Sequence, residues 1–448
     1  MTQVLPPVPI PKPSFNEALR FWLKLGFISF GGPAGQIAIM HTVLVEQKRW
    51  ISDAKFLHAL NYCMLLPGPE AQQLATYIGW LLHGTRGGLV AGILFVLPSV
   101  FILLALSLLY VTVGTLPALQ GVFVGLKPAV VAIILLAMVK IGQKSLLSPL
   151  HYAVAVASFA GIFWGNIPFP LLILGAAVVA LVARRFFPTP AATAATQARA
   201  AQAEEGYFLT SQTVVPGTGF SGPRLLRQAG VAVVLWMLPL GLFWLLTPDF
   251  GFWRGLSAFF TQAALVTFGG AYAVLPYVAQ VSVAKLHWLT QGQMLDGLAL
   301  GETTPGPLIM VLAFVGFMGG YTHFGGSLVF GALGLLTTTY YTFLPCFVFI
   351  LVGAPVIERT QHNASLKAVL SIVTAAVVGV VLNLAVYLGR AILFPSGQLS
   401  MAQLHWLSLA WLVVSLLALY RFKVNMILWI GASAAAGLLY YLLASYLG

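Results

Sequence analysis

The stretch LLPGPEAQQLATYIGW, Leu65–Trp80, carries two prolines around a glycine, with Glu70, Gln72 and Gln73 within the next turn. The chain on both sides is apolar enough to lie in a bilayer. A proline inside a helix removes a backbone N–H and clashes with the preceding turn, so Pro67-Gly68-Pro69 breaks any helix that contains it. Irregular backbone at membrane depth survives only when it is buried in protein or lines a wet cavity. The break also creates a new helix start, whose free N–H groups and positive dipole end suit an anion.

Composition supports a membrane reading. Of the 448 residues, 60% are hydrophobic and 7% charged, with a mean hydropathy of +0.95. Soluble domains carry roughly 25% charged residues. Apolar runs of about the 20 residues needed to span a bilayer recur along the chain. Barrel strands alternate apolar and polar residues, whereas GGLVAGILFVLPSVFILLALSLLYVTV, Gly87–Val113, is apolar on every face. The expected fold is an all-α polytopic membrane protein of about thirteen segments: 15–46, 54–82, 87–114, 118–142, 146–164, 167–187, 228–247, 254–284, 292–320, 325–353, 365–389, 402–420 and 424–446.

The net charge of +12 reads as basic loops gathered on one membrane side, not as a nucleic-acid surface. With thirteen crossings, fourteen Lys and Arg fall on the side of the N-terminus and five (Lys48, Arg49, Lys55, Arg254, Arg390) on the other. That bias predicts a cytoplasmic N-terminus and a multi-pass protein of the plasma (inner) membrane. Cys63 and Cys346 lie in apolar segments and give neither metal spacing nor a disulfide framework. No metal and no cofactor is expected. The opening MTQVLPPVPIPKPS reads as a short tail rather than a signal peptide.

The chain repeats itself. FGGPAGQIAIMH begins at Phe30 and FGGAYAVLPYVA at Phe268, an offset of 238. At the same offset Pro67–Pro69 matches Pro305–Pro307, Trp50 matches Trp288, and Gly87-Gly88 matches Gly325-Gly326. Residues 30–69 and 268–307 share 11 identities in 40 without a gap. A nine-residue insertion then moves the offset to 247, where Pro98 meets Pro345. Copies that start seven segments apart face opposite sides of the membrane, so two inverted-topology repeats with broken helices are expected, with the site at the broken segments. The expected domains are a first repeat (1–187), a polar linker (188–227), a connecting span (228–253) and a second repeat (254–448).

Candidate site residues follow from the breaks. Glu70 and Glu302 are carboxylates beside the two Pro-Gly-Pro motifs, and a carboxyl group in low dielectric holds a proton it can carry across. Gly31, Gly32, Gly68, Gly269, Gly270 and Gly306 allow backbone to approach a ligand closely. Gln36, His41, Gln72 and Gln73 offer side-chain donors, and Lys127, before Pro128 in an apolar run, offers a charge that neutralises an anion or pairs with a carboxylate. Bland readings stand beside these: paired glycines mark close helix packing, lysines snorkel, and Trp50 and Trp288 serve as interfacial anchors. Ser52 and Thr290 read as N-caps, the latter in a capping box with Gln293.

FGGPAGQIAIMH, RWIS, LLPGPEAQQLATYIGW, FGGAYAVLPYVAQ and TTPGPL together resemble the chromate ion transporter family in its long, two-domain form. The resemblance covers the chain apart from the Pro-rich tail and the central loop. It implies a secondary transporter that exports chromate, a tetrahedral dianion with sulfate as its analogue, driven by the proton motive force. Its partners would be the oxyanion, protons and the lipid bilayer, and a homodimer is one assembly compatible with it. A sulfate or other oxyanion transporter or channel of the same fold is the alternative. A membrane-embedded enzyme finds no support in metal spacing, a nucleophile elbow or a nucleotide loop.

Overall fold

Helix starts in the two halves are set by the same capping chemistry. Ser52 accepts from the Lys55 N–H at 3.2 Å, and at the matching place in the second half Thr290 and Gln293 form the expected capping box, at 2.8 and 3.2 Å. The computed structural model describes residues 11–30, 32–114, 116–186, 206–210, 213, 222–268, 270–357, 364–395, 398 and 400–447. Among the described residues there are sixteen α-helices and no strand of a sheet.

The first half holds α1 (Phe15–Ile28), α2 (Gly32–His41), α3 (Asp53–Cys63), α4 (Glu70–Val113), α5 (Pro117–Ser145), α6 (Pro149–Phe163) and α7 (Phe169–Phe186). A connecting helix, α8 (Gly222–Leu246), leads to the second half. That half holds α9 (Phe250–Leu265), α10 (Ala271–Gln280), α11 (Gln291–Thr303), α12 (Val311–His323), α13 (Leu328–Ile357), α14 (Ala364–Leu393), α15 (Trp406–Leu416) and α16 (Met426–Leu447). Six helices, α4, α5, α8, α13, α14 and α16, are long and apolar enough to cross a membrane.

All thirteen apolar segments appear as helix, but the four broken ones do not cross. The ion pair of Lys48 with Glu17 at 2.7 Å and the packing of Trp50 on Phe21 at 5.9 Å return the end of α2 to the level where α1 began. α3 then runs inward, and the first arm of α4 comes back to a sharp turn at His83-Gly84, where His83 donates to the Pro13 carbonyl at 3.0 Å. Both pairs are thus re-entrant hairpins on one face, called here the near face. The second half does the same on its own face: His323 meets Asp249 at 2.9 Å, Thr322 donates to the Trp288 carbonyl at 3.1 Å, and Phe252 packs on Trp288 at 5.9 Å.

That second face is opposite the first. Tyr110 lies seven helical turns beyond Gly84 on α4, about 40 Å at roughly 1.5 Å per residue, and its hydroxyl reaches Asp296 near the start of α11. The two halves are therefore inverted. Turn geometry repeats as well. A π-helical turn follows α2 (Thr42–Gln47) and α10 (Val281–Lys285), and each leads to a non-glycine residue at positive φ, Arg49 at 50° and His287 at 51°. Trp50 and Trp288, expected at the interface, instead lie buried beneath these turns, at 3% and 7% exposure.

The Gly-Gly match is a coincidence of numbering. Gly325 sits at the second hairpin tip with φ 63°, and its spatial counterpart is Gly84, also at 63°. Gly87 is helical and packs so closely on Gly79 that a Cβ would strike its carbonyl. The nine inserted residues are shared around the tip: three on the first arm, two in the turn and four on the second.

The corrected path also moves charges. Lys48, Arg49 and Lys55 join Lys12, Arg86, Lys140, Lys144, Arg224, Arg227, Arg421 and Lys423 at the near face, and Lys285 joins Arg254 and Arg390 at the far one. The basic bias toward one face is sharper than thirteen crossings would give. Leu209 lies on that face, where its N–H donates to the Trp50 carbonyl at 3.0 Å and its carbonyl accepts from the Ser52 N–H at 2.8 Å.

Candidate functional site

In each Pro-Gly-Pro motif the flanking prolines have no N–H, so the glycine keeps the motif's one backbone donor. Gly68 donates its N–H to the Thr267 carbonyl at 2.7 Å, and Gly306 donates to the Ser29 carbonyl at 2.7 Å. Ser29 and Thr267 are repeat equivalents, as are Gly68 and Gly306. Each proline break thus bonds to the glycine-rich break of the opposite half. The long helices close around this crossing symmetrically too. Ser99 donates to the Pro305 carbonyl at 2.6 Å, and its repeat equivalent Cys346 lies against Gly68.

Four glycines at the breaks have positive φ, and they are of two kinds. Gly68 (123°) and Gly306 (104°) are packed, since a Cβ would strike Cys346 or Ser99. Gly32 (69°) and Gly270 (96°) face space: a Cβ on Gly32 meets nothing within 4 Å, and on Gly270 only Pro33, at 4.0 Å. The starts of α2 and α10 therefore face one another across the pseudo-twofold axis. Helix starts of this kind, with their positive dipole ends, favour an anion between them. Gly31 and Gly269 lie outside the described residues.

The side chains divide between the crossing and other places. Gln36 donates to the Gly306 carbonyl at 2.6 Å, and Gln73 to the Pro67 carbonyl at 2.8 Å. Gln72 donates to Thr76 at 3.1 Å. All three Gln residues are buried; Gln36 and Gln73 brace the breaks, and the side-chain Oε1 atoms of Gln72 and Gln73 have no hydrogen-bond partner among the described residues. Gln36→Leu is expected to lower stability by about 1–3 kcal/mol, the cost of leaving the buried Gly306 carbonyl unsatisfied, read as a fall in Tm of the detergent-solubilised protein.

Glu70 starts α4, half-buried and with no hydrogen bond or ion pair among the described residues. Glu302 is buried and accepts from the Tyr272 hydroxyl at 2.7 Å, in the first turn of α10. Each half thus sets one carboxylate beside a half-helix start. Pro67 and Pro69 precede the start of α4, and Pro305 and Pro307 lie between α11 and α12.

Lys127 and His41 are elsewhere. Lys127 is not a free cation in the path: it pairs with Asp296 at 3.2 Å toward the far face. His41 is at the near face, 3.2 Å from Glu46 and 2.7 Å from Asp53. Because it touches neither break, His41→Ala should change flux by about twofold at most, the scale of an exposed ion pair, in initial-rate vesicle assays.

Sequence reasoning missed Tyr272, Ser99 and the Ser29 and Thr267 carbonyls. Extending the repeat by one residue finds the last two, since Ser29 and Thr267 immediately precede the matched Phe-Gly-Gly. Tyr272 carries no such signal, because its repeat equivalent is Ala34.

The halves share a plan but not a posture. Leu57 and Asn61 on α3 and Met64 at its C-cap are exposed, Leu57 by 45% and Met64 by 48%. Their equivalents on α11, Leu295, Ala299 and Glu302, are buried at 1%, 0% and 5%. α11 packs on α5 and α14, whereas α3 packs chiefly on α4. α11 is thus covered by its neighbours on the far side, whereas this face of α3 is left exposed on the near side.

Inverted halves with broken helices crossing at mid-depth define a polytopic membrane carrier rather than an enzyme. The chain belongs to the chromate transporter family, which it matches over residues 17–181 and again over 254–438. It is 34% identical to a chromate transport protein of Pseudomonas aeruginosa, over 83% of this chain and 80% of that one. It is 29% identical to one of Cupriavidus metallidurans, over 85% and 84%. An uncharacterized transporter of Methanocaldococcus jannaschii is 25% identical over 95% and 94%. No solved structure matches the chain.

Proposed function

We propose that this protein exports chromate from the cytoplasm across the plasma (inner) membrane, driven by the proton motive force, and so confers chromate resistance. The observation that carries this reading is the pair of open glycine breaks, Gly32 and Gly270, facing each other at the starts of α2 and α10. Two helix N-termini supply donors and positive potential for a tetrahedral dianion without a fixed cation, so the anion can leave again. Gly31 and Gly269, adjacent in sequence to Gly32 and Gly270, are assigned to the same anion path with Gln72, and Gln36, Gly68, Gln73 and Gly306 hold the breaks in place.

Glu70 and Glu302 are the proton carriers in this scheme, one on each half. Glu70 is the primary coupling acid, because it makes no hydrogen bond or ion pair among the described residues. The basic near face is taken as cytoplasmic, which makes the open side of the crossing the loading side. The repeat domains are 1–187 and 254–448, joined by the linker 188–227 and the span 228–253.

The test is chromate flux in everted vesicles under an imposed pH gradient. Chromate should accumulate, sulfate should compete, and collapsing the gradient should stop uptake. Uptake that ignores the gradient would remove proton coupling. Sulfate transport with no chromate transport would favour the alternative substrate.

A further inference from the structure

We propose that Tyr110, Asp296 and Lys127 form a latch that keeps α11 docked at the far face, and that the latch must open before the site can reach that face. This rests on the carrier reading above, in which the crossing is exposed to the two sides in turn. Lys127 Nζ on α5 lies 3.2 Å from Asp296 Oδ1, and the Tyr110 hydroxyl at the end of α4 donates to Asp296 Oδ2 at 2.9 Å. The Tyr110 ring is fixed edge-on between Phe123 at 5.6 Å and Phe314 at 5.4 Å. One carboxylate thus ties together α4, α5 and α11.

The Asp296 side chain is 8% exposed and that of Lys127 27%. A buried carboxylate stripped of its cation is costly, so α11 cannot swing away until Asp296 is paired again, protonated or hydrated. The equivalent positions of the first half carry different residue types. The repeat equivalents of Asp296, Lys127 and Tyr110 are His58, Thr374 and Ile357, and Thr374 spends its hydroxyl on the Leu370 carbonyl. No carboxylate–lysine pair can form there. This carboxylate–lysine–tyrosine trio therefore belongs to the far side, and that is the side found closed: Ala299 is buried while its equivalent Asn61 is exposed. The latch sets the balance between the two access states, and weakening it shifts that balance toward the far face.

Single cysteine reporters in the full chain test this. Asn61→Cys and Ala299→Cys are each reconstituted in proteoliposomes and labelled with a membrane-impermeant maleimide from either side. The native Cys63 and Cys346 are buried at 0% exposure. With the latch intact, position 61 should label from the near face and position 299 should be protected. Lys127→Met or Asp296→Asn should raise labelling at 299 from the far face by about tenfold or more and lower it at 61, the signature of a population shift. The charge swap Lys127→Asp with Asp296→Lys should restore protection.

Labelling at both positions that does not respond to either variant overturns the latch. Should both variants fail to fold, Tyr110→Phe removes one hydroxyl only; no rise at 299 in that variant equally overturns it. The carrier reading fails differently: positions 61 and 299 would then label from the same face in the otherwise unaltered protein.

Discussion

Vesicles carrying Glu70→Gln should show proton-linked chromate flux at background, with the protein still inserted at normal levels. Glu70 opens α4 directly after Pro69, at mid-depth, and has no hydrogen bond or ion pair among the described residues. Its neighbours do not need its charge: Gln73 secures the break through the Pro67 carbonyl, and Gly68 through Thr267. The amide keeps shape and polarity, so the stability cost should stay within about 1 kcal/mol, as for a substitution that removes no contact. What the amide cannot do is take up and release a proton. Downhill chromate exchange without a pH gradient should therefore persist while gradient-driven accumulation disappears. Loss of both would make Glu70 part of the anion site, and loss of neither would move coupling to Glu302.

Gly306→Ala should be strongly damaging, and Gly32→Ala far milder. Both glycines hold positive φ, 104° and 69°, which costs an L-residue on the order of 1–3 kcal/mol. At Gly32 that is the whole cost to the fold, because a Cβ there meets open space. At Gly306 the new Cβ also overlaps Ser99, and overpacking adds roughly 1–3 kcal/mol. Relief by shifting the backbone would pull the Gly306 N–H off Ser29 and its carbonyl off Gln36. Expected results are a fall in Tm of roughly 4–12 °C at about 2 °C per kcal/mol for a chain this long, and loss of flux. Adding Ser99→Ala should recover part of the Tm. Equal Tm values for the two single variants would show that packing at the crossing is looser than described.

Much of this architecture is legible because Pro and Gly act locally. Pro-Gly-Pro and Phe-Gly-Gly break helices wherever they stand, and their recurrence at one fixed offset exposes both the duplication and the places where the halves meet. What composition cannot reveal is direction. The segment 15–46 is apolar enough to cross, and only the meeting of Lys48 with Glu17 shows that it turns back. Trp50 reads as an interfacial anchor because burial depends on what folds over it. Lys127 looks free in the sequence because its partner Asp296 belongs to the other half and no short-range pattern links them. The asymmetry between α3 and α11 lies further out of reach, because it belongs to one posture of the molecule rather than to either repeat.

The reciprocal bonds at the crossing bear on how the protein is made. Synthesis delivers Ser29 and Gly68 long before Thr267 and Gly306. Until then the first half holds a glycine N–H and a serine carbonyl at mid-membrane with nothing to receive them. A lone first half should accordingly be held by the insertion machinery, or flood its break with water, until its inverted twin emerges. Assembly of the transport site is therefore a late, post-insertion step, and a ribosome stalled within residues 188–221 would strand a soft, protease-sensitive half.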